Sequence, residues 1–346
     1  MTVKIFNSLN IKEYQIIFCK WLEKLDIYYD SDYLMCESKL NNSELEIYTV
    51  IDGINIFIYP YLKLKIDQTP YFDIISPYGY AGPYSTNIKL LKTAEKMLSE
   101  YLKKSGCITE FIRYHFNTPS DFFFCSETHN SINRKIVTID LKKGFDRIWI
   151  EDFSTKNRNL IRKIEKDKYE YKISNSIEDL NEFIDMYNLT MKNVYADAYY
   201  FFDKSFFYNL FEILKSKVFL ARVIKDGITY SSALFFISGG ILTYYLSARN
   251  LNFQNIPATN FLLSESIKYG INNNLYIFNL GGGRSINDED ALLKFKLNFS
   301  KGTNLFYIGK RIHNQNYYES LISQYISKNG FEEYDSRKHI LQFYRQ

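Results

Sequence analysis

The sequence predicts an α/β protein built from two copies of one unit, and three observations carry this. The chain has 346 residues, about twice the length of an ordinary domain. Apolar runs of strand length alternate with segments of helical period along most of it. One order also occurs twice: a hairpin turning on Asp-Gly, a strand, an irregular loop, a helix and a strand. A repeated order of this kind is the mark of an internally duplicated fold.

Taken in order, residues 11–25 place Ile16, Ile17, Trp21 and Leu25 at helical spacing. Residues 45–50 and 54–58 flank Asp52-Gly53 as a hairpin. Residues 72–76 form a strand that runs into a turn-rich loop. A helix over 88–104 stops at Gly106, and 110–115 alternates as a strand. Residues 135–141 read as a strand, and 142–144 mark a domain boundary, giving units 1–143 and 144–346. Ser154 or Thr155 caps a helix that runs to Lys168. Helices follow over 177–192 and 204–215. The second copy then runs through a hairpin at Asp226-Gly227, a strand over 241–248, a loop, a helix over 261–271 and a strand over 275–280. A strand over 306–312 and a helix over 317–328 complete the pattern.

Composition limits the function classes. Hydrophobic residues make up 46% and charged residues 24%, as in a folded chain. A net charge of +4 admits an anionic ligand without the basic excess of a DNA binder. Cys19, Cys36, Cys107 and Cys125 form no CxxC pair and read as reduced thiols. The four histidines have no metal-ligand spacing, so no metal is expected. Residues 1–10 are too polar for a signal sequence, and no run of about 18 apolar residues occurs. A cytoplasmic protein is expected.

Five stretches are candidate site elements. Asn279-Leu280-Gly281-Gly282-Gly283-Arg284-Ser285 ends a strand in glycines, with backbone N–H groups free to meet negative charge. A helix beginning within 285–290 then carries Phe295 and Lys296, the lysine about three turns in. The plain alternative is a tight turn and a solvated lysine. Ser76-Pro77-Tyr78-Gly79-Tyr80-Ala81-Gly82-Pro83 offers flat tyrosine faces to a sugar or base; an ordinary packed loop is its bland reading. Arg113 and His115 share a strand face if 110–115 is a strand, suited to a phosphate or simply to the surface. The basic run from Lys156 through Arg158, Arg162 and Lys166 is either an anion site at a helix start or a solvated face. Tyr195, Tyr199 and Phe201 form either a cleft wall or core or lid packing.

The tyrosine loop 76–83, then Phe111-Ile112-Arg113-Tyr114-His115, then residues 153–166, then Leu280-Gly281-Gly282-Gly283 with Phe295-Lys296, resemble in this order the FemABX-like acyltransferases of the GNAT-like superfamily. The resemblance spans residues 45–318. It implies two tandem GNAT-like units, with mixed, mainly antiparallel sheets flanked by helices and a cleft between them. It implies an N-acyltransferase that moves an acyl or aminoacyl group to the amine of a nucleotide- or lipid-linked cell-envelope precursor, in peptidoglycan or polysaccharide synthesis. The donor is then acyl-CoA or aminoacyl-tRNA, as a co-substrate rather than a tightly bound cofactor. Peripheral membrane association is compatible with it.

Carried over, Lys296 is the oxyanion donor beside Phe295; no motif marks a general base, for which Asp288, the substrate's own phosphate or a water is the candidate. Gly281, Gly282, Gly283 and Arg284 belong to the donor side. Tyr78, Gly79, Tyr80, Arg113, His115, Lys156, Arg158 and Tyr195 belong to the substrate cleft. Two features depart from the pattern. The loop Gln254-Asn255-Ile256-Pro257-Ala258-Thr259-Asn260 has no glycine where a CoA-binding GNAT has a glycine-rich loop. No long heptad insertion follows the second-unit helices. The alternative is a non-catalytic module of this fold that binds a glycan precursor or a protein.

Overall fold

The computed structural model describes residues 1–345, without the side chain of Tyr199. Among these residues the strands are β1 (Thr2–Asn7), β2 (Glu44–Asp52), β3 (Asn55–Lys65), β4 (Phe72–Ile75), β5 (Tyr84–Ser85), β6 (Cys107–Arg113) and β7 (Thr128–Asp140). They continue with β8 (Glu170–Ser174), β9 (Val218–Lys225), β10 (Ile228–Ser238), β11 (Ile241–Arg249), β12 (Ile277–Gly282) and β13 (Thr303–Ile312). The longer helices are α1 (Ile11–Leu22), α2 (Ser31–Leu40), α3 (Ile88–Ser105), α4 (Thr155–Lys166), α5 (Ile177–Asn193) and α6 (Lys204–Leu214). They end with α7 (Ala258–Asn272), α8 (Ala291–Lys296), α9 (Gln315–Asn329) and α10 (Phe331–Arg337).

The chain forms two compact units. One comprises Met1–Phe18, Glu37–Asn133 and Phe306–Gln346; the other comprises Cys19–Cys36 and Arg134–Leu305. This division differs from a single cut after residue 143, and strand pairing explains the difference. β13 lies antiparallel to β6, with Ile308 opposite Arg113, so the end of the chain returns to the first unit. β7 pairs with β12 from Ile136 to Asp140, which carries residues before 144 into the second.

Within the first unit the sheet order is β1-β2-β3-β4-β6-β13, with β5 on β3. All pairs are antiparallel except β4 with β6. α3 makes the crossover that a parallel pair requires. Asn87 caps it by accepting from the Lys89 and Leu90 amides, and Gly106 ends it at φ 92°. Leu90, Leu91, Ala94, Leu98 and Leu102 form its buried stripe and pack on Phe57, Tyr59 and Tyr61 of β3. Each such leucine stabilises the unit by about 1.5–3 kcal/mol. The same unit buries a charged cluster. Arg311 pairs with Glu95 at 2.7 Å, and His313 meets Glu110 at 2.8 Å.

The second unit repeats the plan in the order β7-β12-β11-β10-β9-β8. Again one pair, β11 with β12, is parallel, and a helix, α7, makes the crossover. The β9–β10 hairpin turns at Asp226 and Gly227, both at positive φ, as a type I′ turn requires. Phe219, Phe235, Leu242, Leu262 and Phe278 lie in its core.

Strand β6 ends at Arg113, so His115 lies beyond it and the two do not share a strand face. α8 begins only at Ala291. Lys296 is therefore its last residue rather than about three turns in. β1, α2, β8 and α10 lie outside the elements that the sequence pattern marks. No described helix is long and apolar enough to cross a membrane.

Candidate active site

The parallel pair of the second unit builds the site. β11 and β12 pair over three positions only, ending with Thr243 opposite Asn279. The pairing of β12 with β7 is irregular between Asn279 and Gly281. Here the buried Asn279 side chain accepts the Gly281 N–H at 2.8 Å. Gly281 takes φ +73°, a conformation in which a Cβ is strained. Two residues on, Gly283 has no room for one: a Cβ would stand 2.7 Å from Asp290 Oδ1.

Asp290 organises the chain beyond these glycines. Its side chain accepts from Leu293 N at 2.9 Å, which starts α8, and from Arg284 N at 2.9 Å and Ser285 N at 3.2 Å, which hold the turn. Burial pushes its carboxyl up, but these backbone donors outweigh that and hold it below the usual carboxylate range. Leu293 packs into the core and fixes the roll of the short helix. That orientation directs Lys296 back onto the turn.

Lys296 is 6% exposed. Its Nζ donates to the Gly282 carbonyl at 2.8 Å and lies 6.0 Å from the centre of the Tyr244 ring. Burial, reinforced by the positive charge of Arg134 and opposed by Asp290, pushes the ammonium down to about 7. It is thus poised to hold or release a proton near neutrality. Phe295 packs edge-on to Phe299, with ring centres 5.6 Å apart.

Beside it lies a depression of about 260 Å³, lined by Lys156, Asn157, Leu160, Asn260, Lys294 and Phe295, among others. Its floor is polar and fully tied. Asn260 Nδ2 donates to Asn157 Oδ1 at 2.8 Å, and Asn157 Nδ2 donates to the Asn298 carbonyl at 3.1 Å. Pro257 stands at the start of α7 and makes no side-chain cap there.

The structure therefore brings Lys296 onto the turn of Gly281, Gly282 and Gly283, which Arg284 follows, while Phe295 and Lys156 line the depression. Asp288 is 68% exposed and pairs with Lys135 at 2.6 Å. Arg158 is committed elsewhere: its Nη1 donates to the Phe153 carbonyl at 2.6 Å and to the Trp149 carbonyl at 3.1 Å. Tyr195 is 96% exposed, at φ 50°, and forms no wall. Residues that the sequence reading missed are Arg134, Asn157, Asn260, Asp290 and Asn298. Asp290 had a signal, an N-cap residue three positions before Leu293.

In the first unit, Arg113 and His115 meet the loop that carries Tyr78, Gly79 and Tyr80, through Ser76 and Tyr80. Arg113 Nη1 donates to the Ser76 carbonyl at 2.6 Å and its N–H to Ser76 Oγ at 3.0 Å. Tyr80 meets Phe116 and Phe306 edge-on, at 5.2 and 5.0 Å, with His115 at 6.3 Å. Gly79 takes φ +89°, and the Tyr78 N–H donates to Glu37 at 3.1 Å. Much of the bonding capacity of Arg113 is thus spent on shaping its own loop.

No protein-family model matches the chain, and no curated protein matches its sequence. Solved structures do match. FemX is similar with a TM-score of 0.73 at 16% identity, over 92% of this chain and 99% of that one. L-PGS from Bacillus licheniformis is similar at 0.58 and 12%, over 86% and 91%. The C-terminal domain of a putative lysylphosphatidylglycerol synthetase from Agrobacterium fabrum is similar at 0.56 and 11%, over 92% and 98%. The chain has a fold like that of FemX, in two compact units that share one plan, as the sequence leads one to expect.

Proposed function

We propose that this protein is an acyltransferase of the cell envelope. In this reading it moves an acyl or aminoacyl group to the amine of a nucleotide- or lipid-linked precursor. The observation that carries the reading is the buried Lys296 ammonium, held 2.8 Å from the Gly282 carbonyl on the 281–283 turn. The fold shared with FemX and with a synthetase named for a lysylated phospholipid supports it.

The substrate amine attacks the ester or thioester carbonyl, and the carbonyl oxygen becomes an oxyanion. The Lys296 ammonium stabilises that charge. The C–O or C–S bond then breaks, and the leaving oxygen or sulfur takes a proton. The amine's excess proton passes to water, to the substrate's phosphate or to Asp288, which is open to solvent.

The depression beside Phe295 takes the donor, with Lys156 and Lys294 facing a phosphate-bearing carrier. The loop 254–260 lacks the glycines that let a backbone wrap closely round a pyrophosphate, which favours aminoacyl-tRNA over acyl-CoA. Donor binding that weakens steeply with salt fits the former.

The test is transfer of a radiolabelled aminoacyl or acetyl group to cell-envelope precursors by the wild type and by Lys296→Met. The wild type transfers label, and the variant loses about 100- to 1,000-fold in rate. A wild type that binds precursor without turnover makes the protein a non-catalytic binding module instead.

A further inference from the structure

We propose that Arg134 is a positioning residue for Lys296, acting through the glycine turn that both cations grip. Lys296 Nζ donates to the carbonyl of Gly282 at 2.8 Å, and Arg134 Nη1 donates to the carbonyl of Gly283 at 3.0 Å. Two consecutive carbonyls of one turn are thus held by two cations, one from α8 and one from β7. The stem of Arg134 lies against the turn as well: a Cβ on Gly282 would come within 2.8 Å of Arg134 Cδ. Asp290 holds the same turn through its amides, at Arg284 and Ser285.

This arrangement has an electrostatic consequence. The groups facing Lys296 are Arg134 from β7, Asp290 at the start of α8 and the Tyr244 ring from β11. Nearby, Lys135 pairs with Asp288 and Lys294 with Glu289, so these four largely cancel. After burial, Arg134 is the charge that opposes protonation of Lys296, and Asp290 is the one that favours it. A guanidinium that shapes the turn therefore also keeps the lysine close to its proton-exchange point. Nothing in the stretch Asn133-Arg134-Lys135 marks this role, since β7 reaches the turn only through the sheet.

The catalytic meaning of this pairing rests on the acyl-transfer reading, but the pairing itself is testable without substrate. The experiment follows the Lys296 side-chain signal by NMR in lysine-labelled protein, assigned against Lys296→Met. It compares wild type, Arg134→Lys, Arg134→Gln and Arg134→Met, with thermal melts confirming folding; methionine keeps an apolar stem against Gly282. In the wild type and Arg134→Lys, Lys296 titrates near neutrality. In Arg134→Gln and Arg134→Met the midpoint moves up by about one pH unit or more, and the pH dependence of kcat/KM moves with it. A midpoint that stays at the wild-type value in both neutral variants overturns the proposal, as does an Arg134→Lys protein that behaves like them. A midpoint that moves while no variant or wild type transfers label supports the Arg134 assignment and removes the acyl-transfer reading. Transfer with an unmoved midpoint does the reverse.

Discussion

Lys296 donates from Nζ to the carbonyl oxygen of Gly282, fourteen residues upstream. The contact closes the end of β12 and the end of α8 into one loop. It places a desolvated ammonium where most proteins place a solvated one, and that placement has a measurable energetic signature.

Lys296→Met stabilises the fold in neutral and mildly acidic solution. The lysine is pushed down to about 7 from an ordinary 10.5. Between these values the unfolded chain binds more protons than the folded one, so wild-type stability rises with pH across that window. Methionine removes the dependence. Urea melts show the variant more stable by about 1–4 kcal/mol at pH 6, with the gap narrowing toward pH 10. A gap that does not change with pH refutes the assignment of a depressed lysine.

Alanine at the glycine turn is costly at two positions for different reasons. At Gly281, φ +73° is unfavourable for any Cβ, at about 1–2 kcal/mol. At Gly283, the new methyl meets Asp290 Oδ1 and displaces the cap of α8. Thermal melts therefore fall for both variants. For Gly283→Ala, the Lys296 NMR signal also moves toward that of an exposed lysine.

Lys156→Ala raises KM for the phosphate-bearing donor several-fold and leaves kcat nearly unchanged, because Lys156 is exposed at the rim of the depression and distant in role from the reacting carbonyl. Steady-state kinetics with varied donor measure this. An unchanged KM moves the donor away from this depression.

Arg311→Leu severely destabilises the first unit. Arg311 is fully buried between Glu95 and Glu110, so its removal takes a buried cation from two buried carboxylates and costs about 3–5 kcal/mol in a urea melt. Burial raises the Glu110 carboxyl, but Arg311 first and His313 next outweigh that and hold it below its ordinary 4.5. Its stabilisation is present above 4.5 and lost as pH falls through the lower folded value. In the variant, acid unfolding begins at higher pH. Identical acid limbs for the two proteins contradict the pairing.

The local punctuation of the chain was legible. Asp226-Gly227 announces its turn, Gly106 stops α3, and three glycines in succession mark a place where backbone must pass close to something. The resemblance carried the rest of the fold class, because both copies place a hairpin before a helix-bridged parallel pair. The partners of the glycines were not legible. Arg134, Asn157 and Asn260 approach the site through strand order and helix packing, which a linear pattern does not encode. The length of α8 was misread because Asp290 competes for the amides of Arg284 and Ser285, and this delays the helix to Ala291. Arg158 looked like a ligand group because its charge is visible in the sequence, whereas the carbonyls that consume it belong to the preceding turn.

The return of β13 to β6 sets a timetable for synthesis. A ribosome delivers β6 early, and the strand that covers its open side emerges only after the whole second unit has been made. Until then β6 presents an unpaired edge, the kind of template on which chains aggregate. The second unit, apart from residues 19–36, is contiguous and is complete first. The nascent protein therefore matures from its middle outward, and the step most exposed to chaperones and proteases is the late closing of its beginning by its end.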